Sequence, residues 1–119
     1  MDSTCTVEDL KRMTGDFCDE RDWAQFHNSK DMAIGIATEA GELLELFRFK
    51  TNDESDEMSR ASRRTDDCEE LADTLYFVLR FAQINGIDLS EALKDKLAKN
   101  ALKYPVDRVR GCNKKYDEY

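Results

Sequence analysis

A single proline, Pro105, and five glycines are all that interrupt 119 residues. These two residue types are the strongest punctuators of a backbone, so most of this chain is free to stay helical. β-Branched residues, which favour strands, are sparse. Apolar residues recur at helical spacing from the start, with Val7, Leu10, Met13 or Thr14, and Phe17 on one face. The expectation is an all-α fold.

Thr6 is placed to cap a first helix that fades near Arg21. "DWAQFHNSK" breaks the period and reads as a connector carrying Trp23 and Phe26. A second helix is expected over about residues 31–49, followed by a polar loop, "KTNDESDEMS". A third begins near residues 59–63 and runs to about Ile84, where Asn85-Gly86 stops it. Asp88 with Glu91 resembles a capping box opening a fourth. That helix must end before Pro105, because the residue preceding proline avoids helical geometry. The expected organisation is one all-α domain, residues 1–104, and a tail, 105–119, bearing Arg108, Arg110, Lys114 and Lys115.

A net charge of -8 argues against a nucleic-acid surface, which needs clustered cations to neutralise phosphates. A small polyanion remains possible if metal cations bridge it to the acids. No apolar run approaches the roughly 20 residues that span a bilayer. Cys5, Cys18, Cys68 and Cys112 are scattered without zinc-like spacing, and the opening residues hold no apolar signal core. Reduced thiols in the cytoplasm are expected.

The chemistry-bearing feature is a repeated one. "EAGELLELFRFK" carries Glu39 and Glu42, and "EELADTLYFVLRF" carries Glu70 and Asp73. At 100° per residue, Ala33, Ile36, Ala40, Leu43, Leu44 and Phe47 form the main apolar arc of the second helix. Glu39 and Glu42 lie outside it, beside Gly35, Leu46 and Phe49. On the third helix the arc is Cys68, Leu71, Ala72, Leu75, Val78, Leu79 and Ala82. Glu70 and Asp73 lie opposite, with Phe77 and Phe81.

Carboxylates at i and i+3 stand on adjacent turns, about 5–6 Å apart at Cβ, and repel. A hard divalent cation such as Mg²⁺ removes the difficulty and leaves room for phosphate oxygens. If the two helices run antiparallel, four carboxylates converge, and the phenylalanines offer a wall for a nucleobase. The bland alternative is four surface acids in an acid-rich chain. A di-iron bundle would need Glu-x-x-His motifs, and the only histidine, His27, sits in a connector.

The spacing Glu39-x-x-Glu42, 27 residues, Glu70-x-x-Asp73 is similar to the all-α nucleoside triphosphate pyrophosphohydrolases of the MazG type. "ERDWAQFH", "EAGELLELF", "EELADTLYF" and "KYP…KKYDEY" resemble the dCTP pyrophosphatase branch, over nearly the whole chain. The resemblance implies a four-helix bundle completed by pairing into a homodimer or homotetramer. It implies Mg²⁺ held by Glu39, Glu42, Glu70 and Asp73, with Glu39 or Glu42 as catalytic base. It also implies substrate contacts from Trp23, Phe49, Phe77, Lys96, Asn100 and Tyr104. The implied reaction converts a nucleoside triphosphate, dCTP or a modified dCTP, to the monophosphate and pyrophosphate.

The chain departs from that branch at three places. Phe49 stands where a second tryptophan is expected, Thr14 where a histidine is, and Phe77 where a tyrosine is, with Tyr76 beside it. Base preference is the implication these departures weaken. Two rivals stay open: a non-catalytic helical interaction module, and the same chemistry with dUTP.

Overall fold

The structure, a computed structural model, describes residues 1–62 and 65–119. Every regular element among them is a helix, as expected. The chain divides into two compact units, Met1–Gly86 and Ile87–Tyr119.

The first unit opens with α1 (Val7–Asp19), capped by Thr6. The Thr6 hydroxyl accepts from the Asp9 N–H at 3.1 Å, and the Thr6 N–H donates to the Asp9 carboxylate at 2.9 Å. This satisfies two helix-end donors reciprocally. The chain then turns at Asp22, whose φ of 54° is in the left-handed region, and passes through a 3-10 turn, Ala24–Phe26. Asn28 caps α2 (Ser29–Glu45) by accepting from the Asp31 N–H at 2.9 Å.

The segment expected to be a loop is a helix instead, α3 (Asn52–Ser62). Thr51 and Glu54 form another reciprocal cap: the Thr51 hydroxyl accepts from Glu54 N–H at 3.1 Å, and the Glu54 carboxylate accepts from Thr51 N–H at 3.4 Å. With neither glycine nor proline to interrupt it, a capped polar stretch continues as helix. α4 (Thr65–Ile84) follows. Its expected start spanned residues 59–63, of which residue 63 lies outside the described residues, while Ser59 to Ser62 belong to α3.

α4 packs chiefly on α2 and secondarily on α1. α2 and α4 run antiparallel. Ser29 donates to Asn85 at 3.0 Å near one end, Phe77 lies on Gly35 midway, and Glu42 stands beside Glu70 at the other end. A Cβ at Gly35 would sit 2.4 Å from the Phe77 ring, so this approach needs glycine. α1 joins through Cys18 Sγ, 3.1 Å from the Tyr76 hydroxyl, and through Gln83 Nε2, which donates to the Lys11 carbonyl at 3.1 Å. Among the described residues, Cys18, Met32, Leu79 and Ala82 are the buried apolar side chains.

The faces differ from the expected arcs. On α2, Gly35, Ile36 and Glu39 are half-buried, while Ala33, Ala40 and Leu44 are exposed. On α4, Glu70, Thr74, Phe77 and Phe81 are half-buried, whereas Leu71 is 59% and Leu75 44% exposed. The close approach of Phe77 to Gly35 sets which sides meet. The aromatic-bearing faces with Glu39 and Glu70 therefore pack within the chain alongside the Leu79 and Ala82 part of the expected arc, while Ala33, Ala40, Leu44, Leu71 and Leu75 face outward.

In the second unit, Asp88 caps α5 (Leu89–Lys103) by accepting from Glu91 N–H at 2.9 Å. α5 ends ahead of Pro105, which stands just before α6 (Val106–Val109) in an extended conformation. The residues beyond α6 fold back on the end of α5. Tyr104 meets Tyr116 edge-on with centroids 6.1 Å apart, and the Tyr119 hydroxyl donates to the Lys103 carbonyl.

Candidate functional site

The i, i+3 spacing and the antiparallel register together bring the acids to one place between α2 and α4. One carboxylate oxygen from each of Glu39, Glu70 and Asp73 lies within 4.8 Å of the others. Glu42 closes the group, within hydrogen-bonding reach of Glu70. With both ionised, that contact has no proton to share. Glu70 Oε2 is sealed from solvent and has no hydrogen-bond partner among the described residues. An orphaned carboxylate oxygen of this kind calls for a cation or a proton.

The electrostatics agree. Desolvation, then the charge of Glu42, a hydrogen bond with Glu42, and the charges of Glu39 and Asp73 hold Glu70 above its ordinary value. Glu39 is raised by desolvation first, then by Glu42 and Asp73. The donor set is all oxygen, which suits a hard cation. Two oxygens on one Mg²⁺ stand at most about 4.2 Å apart, twice a bond of ~2.1 Å. The group therefore fits Mg²⁺ after a small closure of its side chains.

Next to the acids is a cavity of about 370 Å³ lined by Phe17, Trp23, His27, Glu39, Asp73, Tyr76 and Phe77. Its walls are aromatic and mutually braced. Phe17 meets Trp23 edge-on at 5.7 Å and Tyr76 at 6.2 Å, and Arg21 stacks over the outer side of Phe17 at 3.7 Å. Burial and the bond to Cys18 push the Tyr76 hydroxyl up to about 12, so it stays protonated. Glu39 and Asp73 belong to both the cavity and the acid group. The site is thus aromatic and apolar on one side and anionic on the other.

Of the expected site residues, the structure brings Trp23, Phe77, Glu39, Glu42, Glu70 and Asp73 together. Phe49 does not line the cavity. It follows α2 with a φ of 65°, is 91% exposed, and packs against the Arg48 guanidinium at 4.7 Å. Lys96, Asn100 and Tyr104 lie on or at the end of α5 in the second unit, with Lys96 exposed and Asn100 and Tyr104 half-buried. Sequence reasoning missed Phe17, Tyr76 and His27 as cavity residues. Phe17 fits the apolar spacing of α1 and His27 sits in a connector, so neither stands out as a site residue in the sequence. Their common signal was position, each lying within a few residues of Trp23 or Phe77.

The family model described as MazG-like matches residues 34–119. The chain belongs to the MazG-like family. Its sequence is 36% identical over 114 residues to dCTP pyrophosphatase 1 of Homo sapiens, covering 95% of this chain and 67% of that protein. The Bos taurus protein of the same name is also 36% identical, covering 95% and 68%. These likenesses place the chain on the dCTP pyrophosphatase branch of the MazG-like proteins. A pyrophosphatase crystal structure from Archaeoglobus fulgidus superposes with a TM-score of 0.77 at 36% identity, covering 82% of this chain and 91% of that one. The MazG-like match includes all four acids, and the likeness to the dCTP pyrophosphatases extends the relationship over nearly all of the chain.

Proposed function

We propose that this protein is a Mg²⁺-dependent pyrophosphohydrolase of deoxynucleoside triphosphates, with dCTP or a modified dCTP as substrate. The enzyme class follows from the comparisons: it is a nucleoside triphosphate pyrophosphatase, a hydrolase. The observation that carries the finer reading is the sharing of Glu39 and Asp73 between an aromatic cavity and an acid group. A nucleotide has the same two-part character, a flat apolar base and an anionic phosphate chain.

Trp23, Phe17, Tyr76 and Phe77 would enclose the base by edge and face contacts. Glu39, Glu42, Glu70 and Asp73 would hold Mg²⁺, which when bound offsets the charge of the triphosphate and polarises the phosphoryl group under attack. Glu39 or Glu42 accepts the proton of the attacking water, both standing next to the site where phosphate must lie. Lys96, Asn100, Tyr104 and Phe49 are assigned as further substrate contacts on the family likeness alone. The exposed leucines of α2 and α4 support a homodimer or homotetramer. A cytoplasmic setting, where nucleotides and Mg²⁺ coexist, completes the reading.

The test is pyrophosphate release from a panel of canonical and modified nucleotides with Mg²⁺. Turnover greatest with a cytosine nucleotide is expected, and Asp73→Asn or Glu70→Gln should reduce it at least a hundredfold with helicity unchanged. Greater turnover of dUTP would move the substrate to uracil nucleotides. A folded protein that turns over none of them would end the enzymatic reading.

A further inference from the structure

In the cavity wall, a histidine is held in one protonation pattern by a buried cation. Arg80 Nε donates to His27 Nδ1 at 2.9 Å. A guanidinium can only donate, so His27 Nδ1 must present a lone pair and the ring proton must sit on Nε2. Arg80 is 6% exposed, and among the described residues no carboxylate pairs with it. A second bond, from Nη1 to Gln83 Oε1 at 2.6 Å, also goes to a neutral acceptor. Gln83 is tied in turn to the Lys11 carbonyl of α1. A buried arginine that served only stability would be expected beside a carboxylate. Here its specific effect is on the imidazole.

The location follows from helix geometry. Arg80 is seven residues beyond Asp73 on α4, which is close to two turns, so both share one face about 10 Å apart along the axis. Tyr76 and Phe77 lie between them. Tyr76 and Phe77 meet at 90°, so a base in the cavity can take the face of one ring and the edge of the other; with its phosphates at Asp73, it would turn its far edge toward His27.

Resting on the nucleotide reading above, we propose that His27 Nε2–H, with its tautomer fixed by Arg80, donates to the ring-nitrogen acceptor on the edge of a cytosine base. Cytosine presents a lone pair at N3. Uracil and thymine present an N–H there, which would face a second donor and lose the bond. One oriented donor therefore discriminates between pyrimidines that differ little in shape. Burial and the neighbouring Arg80 charge, in that order, lower the His27 pKa, which keeps the ring neutral with a single donor at Nε2.

The experiment has two arms. In the kinetic arm, kcat/KM for dCTP and dUTP is measured with Mg²⁺ for the natural protein, His27→Leu and His27→Gln. His27→Leu should lower the dCTP-to-dUTP ratio roughly tenfold, mostly through KM for dCTP, and His27→Gln should restore part of it because its amide places a donor near the same point. In the second arm, nitrogen NMR of the labelled chain reads His27 directly, since it is the only histidine. The natural protein should show protonated Nε2 and bare Nδ1, with the Nε2 signal moving on addition of dCMP, and Arg80→Met should mix the two tautomers. An unchanged ratio in His27→Leu, or a proton on Nδ1 in the natural protein, overturns the inference while leaving the enzyme reading standing. Failure of the natural protein to turn over either nucleotide defeats the enzyme reading itself, and this inference with it.

Discussion

Glu70 shows what the proposed metal site costs the fold. Its Oε2 is closed off from water beside three other acids, and its carboxyl is held above the ordinary value of 4.5. Glu39 shifts in the same direction. A group whose pKa is raised on folding stabilises the folded state fully below its unfolded value, and that contribution is lost as pH rises through the folded value. Without metal, these two groups should therefore make the protein less stable as pH climbs from about 4 toward 7. Glu70→Gln should flatten that dependence and raise the metal-free melting temperature at pH 7, while removing most of the stabilisation that Mg²⁺ gives the natural protein. Melting curves of both proteins at several pH values, with Mg²⁺ and with chelator, check this. Asp9 works the other way. Its backbone bond to Thr6 and the Arg12 contact lower it to about 2, so its contribution is present above about 3.8 and lost as pH falls toward 2. Comparing natural protein with Glu70→Gln cancels that background.

At the scale of helices, the contact between α2 and α4 depends on one missing side chain. Gly35→Ala would drive a methyl into the Phe77 ring, with an expected loss of roughly 1–3 kcal/mol. A lower urea midpoint and a higher KM, with kcat less affected, is the expected result. This contact also explains what was legible in the sequence. The acid quartet could be read because i, i+3 spacing fixes relative position on a helix whatever the helix packs against. The Thr51–Glu54 cap that makes α3 a helix was also written there, under residues that look like turn formers. The buried faces were legible only in part: Leu79 and Ala82 of the expected arc are buried, but Leu44, Leu71 and Leu75 are not, because apolar arcs say which side is greasy and not which side finds a partner. His27 was hidden for a similar reason: its partner, Arg80, is 53 residues away and reaches it only once the helices are assembled.

For the molecule as a whole, the outward leucines are the outstanding feature. Leu71 and Leu75 on α4, with Ile34 and Leu44 on α2, are exposed on the two helices that pack together, and the proposed oligomer would cover them. Light scattering should give at least a dimer at micromolar concentration, and Leu71→Asp combined with Leu75→Asp should move the mass toward the monomer. A monomeric natural protein would contradict this. The crowded carboxylates carry a further consequence for anyone engineering the protein. Neutralising them would relieve strain between helices, so a screen scored on survival of heating alone would enrich glutamine and asparagine at positions 39, 42, 70 and 73. If those acids hold the metal as proposed, the hardiest clones from such a screen would be inert, and ranking by robustness would run opposite to ranking by turnover.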